Sequence, residues 1–253
     1  MRVPVFAANW KMYKTVQEST AFVREFAALA KRLTGVELIV APPFTAIAAA
    51  AELARNTPVD IAGQDVYFER EGAFTGEISA AMLADAGATH VIVGHSERRR
   101  LFGETDEWVN RKARAAVTAE LTPIICIGET LQEREHGSTL AVLDQQIRAA
   151  LDGLSADQIG ASLIAYEPVW AIGTGKVATP AEADEAHRHI RSRLRQWFGG
   201  TAAEACRLLY GGSVKPDNIR ELIGLQDVDG ALVGGASLDV RSFFDIADRS
   251  RQA

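Results

Sequence analysis

The chain repeats one pattern about eight times: a short apolar run, then a segment of helical periodicity. The runs are residues 3–8, 37–41, 59–63, 90–94, 123–127, 163–167, 207–210 and 230–233. Most are nearly all apolar, as expected of strands buried on both faces. Between them, Phe22, Phe26, Leu29 and Leu33 recur at three-to-four spacing, which places them on one helix face. Leu140, Leu143, Ile147 and Leu151 do the same, as do Ile190, Leu194 and Trp197. Thr179-Pro180-Ala181-Glu182 predicts a helix start, with a cap, a first-turn proline and an acid in the first turn. Strand–helix alternation implies a parallel sheet. With 253 residues, each unit takes roughly 32, a comfortable strand–helix length. No Pro/Ser-rich linker breaks the run. The expectation is a single domain over 1–253, an α/β closed (β/α)8 barrel. An open dinucleotide-type sheet would want a glycine fingerprint after its first strand, and here that strand runs into Asn9-Trp10-Lys11.

In such a barrel, chemistry sits where strands end and the following loops begin. Strand 1 delivers Asn9 and Lys11, strand 3 Gln64, strand 4 His95, Ser96 and Glu97, and strand 6 Glu167. Strand 7 ends in Gly211-Gly212-Ser213 and strand 8 in Gly234-Gly235. Glycine lets backbone N–H groups crowd an anion with no Cβ in the way. A short helix starting near Ala236 would aim its positive end at the same point. One Gly-Gly pair usually just turns the chain, but two on adjacent strands suggest phosphate. His95 precedes a helix start, whose positive end disfavours imidazolium, so a neutral ring is expected. A lone histidine is more often structural. This one shares a rim with a fixed cation, Lys11, and a carboxylate, Glu167.

Residues 166–178 join that carboxylate to a loop suited to act as a lid. Pro168 ends the ladder and stiffens the hinge. Trp170, Ala171 and Ile172 supply apolar cover, and Gly173 and Gly175 permit close approach to a ligand. A carboxylate that a lid seals from water is a candidate general base.

The net charge of −6 and a pI near 5.5 argue against nucleic acid or an anionic membrane as partner. No signal peptide or membrane span is seen. The two cysteines, Cys126 and Cys206, fall in different strands with no metal-ligand spacing, which suggests reduced thiols and a cytoplasmic location. Cys126 has no basic neighbour in sequence and reads as a packed core thiol.

Several motifs together resemble the triosephosphate isomerases. They are Asn9-Trp10-Lys11-Met12, Ala62-Gly63-Gln64-Asp65, Gly72-Ala73-Phe74-Thr75-Gly76-Glu77 and Val93-Gly94-His95-Ser96-Glu97-Arg98-Arg99. Cys126-Ile127-Gly128-Glu129, the run from Tyr166 to Lys176, Tyr210-Gly211-Gly212-Ser213-Val214 and Leu232-Val233-Gly234-Gly235-Ala236 complete the set, in family order over nearly the whole chain. The resemblance implies cofactor-free interconversion of dihydroxyacetone phosphate and D-glyceraldehyde 3-phosphate, with no metal. It implies that Glu167 is the base, that neutral His95 shuttles protons between the two oxygens, and that Lys11 and Asn9 stabilise negative charge. It assigns the phosphate to N–H groups of Gly173, Ser213, Gly234 and Gly235. Tyr210 and Ser213 would bond the closed lid near Ala178 and Gly175, while Ile172 and Leu232 press on the base. Thr75 tops a loop that in the family enters a second subunit beside Lys11, so a homodimer is implied. Ala8, Tyr13 and Val177 stand where the family often has Gly, Asn and Thr.

Two other classes stay open at this point. One is another phosphate-binding barrel enzyme, either a Schiff-base aldolase or a metal-dependent epimerase. The other is a barrel kept for binding or scaffolding, which would be expected to have lost its base or its phosphate site.

Overall fold

The computed structural model describes residues 2–172 and 178–251. Eight strands pair in sequence order and close on themselves: β1 Val5–Asn9, β2 Glu37–Ala41, β3 Val59–Gly63, β4 His90–Val93, β5 Thr122–Ile127, β6 Leu163–Tyr166, β7 Arg207–Tyr210 and β8 Gly230–Val233. Every neighbouring pair is parallel, and β1 against β8 completes the barrel, with Ala8 opposite Val233. The expected closed (β/α)8 architecture is what forms.

Strand periodicity sorts the apolar residues into two layers. Val5, Ala7, Ile39, Ala41, Ala62, Ile92, Ile124, Cys126, Leu163, Ala165, Leu209 and Leu232 form one buried cluster, the barrel interior. Their sequence neighbours, such as Phe6, Leu38, Val91, Ile125, Ile164 and Leu208, join the larger cluster shared with the surrounding helices. Both faces are dry, which is why the runs looked uniformly apolar rather than alternating.

The inward parity explains the rim. Extending it to and just past the strand ends, in steps of two, gives Asn9 after Ala7, Gln64 after Ala62, Glu167 after Ala165, Gly211 after Leu209 and Gly234 after Leu232. β4 departs from this register. Gly94 follows Val93 with φ 73°, a left-handed conformation that breaks the alternation and brings His95, not residue 94, to the rim. That turn also ends the strand one residue before the run 90–94 suggested. Likewise β6 stops at Tyr166, because Pro168 cannot continue the ladder.

The three helices expected from periodicity form as Val16–Ala30, Thr139–Leu151 and Pro180–Phe198. Leu33 lies past the end of the first, yet is buried. Thr179 caps the last with a reciprocal Glu182 bond, as the sequence indicated. Ala80–Asp85, Ala156–Ala161, Gly200–Ala205 and Ile219–Ile223 are helices of five or six residues. They are too short for a periodic signal.

Candidate active site

Asn9, Lys11, His95, Glu167, Ser213, Gly234 and Gly235 line one cavity of about 300 Å³ at the C-terminal mouth of the barrel. These are all the expected site residues except Gly173, which lies outside the described residues, as does Gly175.

Glu167 is 2% exposed. Its Oε1 stands 3.0 Å from His95 Nε2, and its Oε2 accepts the Ser96 backbone N–H at 2.8 Å. The backbone beneath it is wedged between two glycines. A Cβ at Gly128 would sit 1.7 Å from the Glu167 carbonyl oxygen, and one at Gly211 would sit 2.9 Å from Glu167 Cγ. Glu167 N–H donates to Ile127 O at 2.7 Å, tying this residue to the neighbouring strand.

His95 caps the short helix Ser96–Phe102, with its Nδ1 accepting the Glu97 N–H at 3.2 Å. An imidazolium has no acceptor at that nitrogen. The hydrogen bonds therefore fit a neutral ring carrying its proton on Nε2, aimed at Glu167. Burial pushes the His95 pKa down, and the facing carboxylate pulls it above the usual histidine value. The larger part of that pull is the charge of Glu167 itself, and the hydrogen bond to it adds to the effect. For Glu167, burial raises the pKa, but His95, the Ser96 N–H and Lys11 together hold it below the usual carboxylate value. The cavity thus contains an ionised, nearly dry carboxylate at neutral pH.

Lys11 is held by its own backbone as much as by its charge. Its φ is 52°, its N–H donates to Asn9 Oδ1 at 3.0 Å, and Gln64 Nε2 donates to its carbonyl at 2.9 Å. Its ammonium bonds Glu97 Oε1 at 2.6 Å. Asn9 thus fixes the loop from which Lys11 reaches the cavity. The Lys11–Glu97 pair and the Ser96 N–H on the base were not deduced from sequence, because each depends on where separate loops meet.

Across the cavity from these charges lies a surface built largely of backbone. Gly235–Leu238 forms a 3-10 turn directly after β8, one residue earlier than the helix start expected near Ala236. A Cβ at Gly235 would meet nothing within 4 Å, so its open space belongs to the cavity. Asn218 braces the opposite loop by donating to Ser213 O at 2.9 Å and accepting from Lys215 N–H at 2.8 Å.

At the first hinge of the expected lid, Val169–Ala171 forms a 3-10 turn. Trp170 Nε1 donates to Glu129 Oε1 at 2.9 Å, which also accepts from Tyr166 at 3.2 Å. Arg134 lies over the Trp170 ring at 4.7 Å and bonds Glu129. Sequence quoted Glu129 but gave it no role. Two of its side-chain partners, Tyr166 and Trp170, are 37 and 41 residues away, beyond any local signal. Buried Tyr210 Oη faces the Ala178 backbone N–H, which works against the rise in its pKa caused by burial, while no hydrogen bond of ordinary geometry joins it to the described residues. Ile172 and Leu232 both line the cavity.

A family model described as triosephosphate isomerase matches residues 4–250. The chain belongs to the triosephosphate isomerase family. The triosephosphate isomerase of Citrifermentans bemidjiense is 53% identical over 246 residues, covering 97% of this chain and 98% of that protein. That of Carboxydothermus hydrogenoformans is 53% identical, covering 99% and 100%. A crystal structure of triosephosphate isomerase from Bartonella henselae superposes with a TM-score of 0.90 at 42% identity, covering 98% of this chain and 99% of that one. With the family in place, the two barrel rivals lose their ground. A lysine at the mouth, Lys11, is already engaged with Glu97. Among the described residues, the one His/carboxylate group able to hold a metal is Glu37, Asp60 and His90. It starts at the other ends of β2 and β4, where Arg207 already bonds Glu37.

Proposed function

We propose that this chain interconverts dihydroxyacetone phosphate and D-glyceraldehyde 3-phosphate by proton transfer through an enediolate. The observation that carries the roles is the Glu167–His95 pair, 3.0 Å apart in a dry pocket facing a glycine-built anion site. Glu167 takes the proton from the carbon beside the carbonyl. His95 Nε2–H donates to the carbonyl oxygen, where negative charge develops. Glu167 returns the proton to the adjacent carbon while the ring moves a proton between the two oxygens, so nothing is consumed. Lys11, braced by Asn9, stabilises the enediolate charge. N–H groups at Ser213, Gly234 and Gly235 hold the phosphate, with Gly173 completing the set from the lid. No cofactor or metal takes part.

The proposal includes a homodimer. Met12, Tyr13, Phe44, Phe74, Met82, Leu101 and Phe102 are large apolar residues left exposed in the segments that follow β1, β2, β3 and β4. Exposed apolar side chains on successive loops of one rim support an interface there. Thr75 lies among them in an exposed loop and would enter the partner beside its Lys11. The cytoplasm is the proposed location. Two buried, unpaired thiols support it, and no helix among the described residues is long and apolar enough to cross a membrane.

The test is a coupled assay with glyceraldehyde 3-phosphate on protein dialysed against chelator. Full turnover is expected. Inactivation by borohydride in the presence of substrate would instead reveal a Schiff-base aldolase.

A further inference from the structure

The turn that carries Gly235 is held in place by the loop that carries Lys11. Trp10 Nε1 donates to Ser237 O at 3.2 Å, and Lys14 Nζ donates to Leu238 O at 2.9 Å. These are consecutive carbonyls at the C-terminal end of the 3-10 turn Gly235–Leu238. Carbonyls at such an end lack partners within the turn and carry its negative pole, so a cation there is favourable. The Lys14 ammonium also lies 5.3 Å from the Trp10 ring and 4.9 Å from the Phe22 ring. Those rings pack edge to face at 4.7 Å, and Trp10 is fully buried. The charge therefore sits in a cradle of two aromatic faces and one carbonyl.

The backbone supports the same reading. Lys14 has φ 74° and Lys11 has φ 52°. Left-handed conformations at non-glycine residues persist only where the surroundings over-determine them. Between the two, Met12 is 95% exposed and contributes no hold on the barrel. The four-residue segment is thus fastened at its two ends. One end places an ammonium in the cavity, and the other grips the turn. Across the same gap, a Cβ at Gly234 would come 3.7 Å from Lys11 Cε.

We propose that Lys14 is a positioning residue that locks the Lys11 loop to the phosphate-binding turn, fixing the spacing between the Lys11 ammonium and the N–H groups of Gly234 and Gly235. The inference rests on the reading of that turn as the phosphate site. Lys14 itself stays behind the turn and touches no substrate.

The test uses Lys14→Met, which keeps the stem over Trp10 and Phe22 but removes the charge and the donor, alongside Lys14→Arg and Trp10→Phe. Steady-state constants are measured with glyceraldehyde 3-phosphate, and inorganic phosphate is the competing probe. In Lys14→Met, KM and the phosphate inhibition constant are expected to rise about tenfold, with a smaller fall in kcat. Glyceraldehyde, which carries no phosphate, should lose less than the phosphorylated substrate. Lys14→Arg should recover most of the loss, and Trp10→Phe, which removes the companion donor, should show a smaller rise in the same constants. Unchanged KM and phosphate inhibition in folded Lys14→Met, with only a lower melting temperature, would overturn the proposal. If Lys14→Met does not fold, wild-type constants in Trp10→Phe would overturn it. Failure of the functional reading looks different, because wild type would then not isomerise glyceraldehyde 3-phosphate at all.

Discussion

The two walls of the cavity are made of different material. The wall from β1, β4 and β6 presents side chains: Lys11, His95 and Glu167, each held by named partners. The wall from β7 and β8 presents backbone, with glycines at 211, 212, 234 and 235 and one small hydroxyl, Ser213. Proton transfer needs groups whose protonation can be tuned, and those are side chains. A phosphate dianion needs several donors at short range, and peptide N–H groups supply them where no Cβ intervenes. The contrast teaches that a substitution should be read by wall. On the first it changes chemistry, and on the second it changes room.

The largest effect is expected on the chemical wall. Glu167→Asp withdraws the carboxylate by about one methylene, and a misplacement of ~1 Å costs on the order of 10²-fold in kcat. Binding of a non-reactive phosphate-bearing analogue should persist. Near-normal kcat in the folded variant would remove Glu167 from the mechanism.

Next is the backbone wall. Gly235→Ala adds a Cβ that meets nothing within 4 Å in the empty cavity, so the fold should tolerate it. A bound phosphate would meet that methyl. KM should rise on the order of tenfold, the value of one charge-assisted donor, while melting temperature barely moves. A wild-type KM would mean the phosphate sits elsewhere. Gly211→Ala sharpens the contrast. Its Cβ would lie 2.9 Å from Glu167 Cγ, so a glycine on this wall would here damage kcat.

Assembly should act through the chemical wall alone. In the proposed dimer Thr75→Arg would face the other subunit's Lys11 loop, so it should shift the protein toward monomer by light scattering, and activity should fall with mass. A fully active monomer would show that the site is complete in one chain.

A smaller effect concerns pH. Folding holds Glu167 below the usual carboxylate value, against its burial. Such a group contributes stability that is present above the unfolded pKa and lost as pH falls through the folded one. Wild type should therefore lose more stability than Glu167→Gln on acidification through and below the ordinary carboxylate range, around pH 4. Parallel losses would mean that the pair with His95 gives the base no net stabilisation.

The smallest effect is at the hinge between the walls. Trp170 is bonded to Glu129, and closure over phosphate should change its surroundings. The emission change on binding a phosphate-bearing analogue should disappear in Trp170→Phe. A signal of equal size in both proteins would assign it to Trp10, Trp108 or Trp197.

Much of this was legible in the sequence, for a physical reason. Two-sided burial makes barrel strands conspicuous, and the inward parity of Ala7, Ala165 and Leu232 carries straight on to Asn9, Glu167 and Gly234. The motifs, by their resemblance to the family, implied the roles proposed for these residues. Contacts between loops far apart in sequence were not legible: Lys11 with Glu97, Ser96 N–H with Glu167, Lys14 with Leu238. Nor was the left-handed turn at Gly94 that rotates His95 into the site, since a glycine in sequence does not state its φ. The short helices were hidden because five or six residues complete barely more than one turn.

The most direct test of the central claim is the conversion of glyceraldehyde 3-phosphate in heavy water, followed by NMR. Removal and return of a carbon-bound proton by one carboxylate predicts dihydroxyacetone phosphate with deuterium at its hydroxymethyl carbon, and Glu167→Asp should slow its appearance on the order of 10²-fold. Product appearing at the wild-type rate in folded Glu167→Asp, with or without deuterium, would contradict the role given to Glu167.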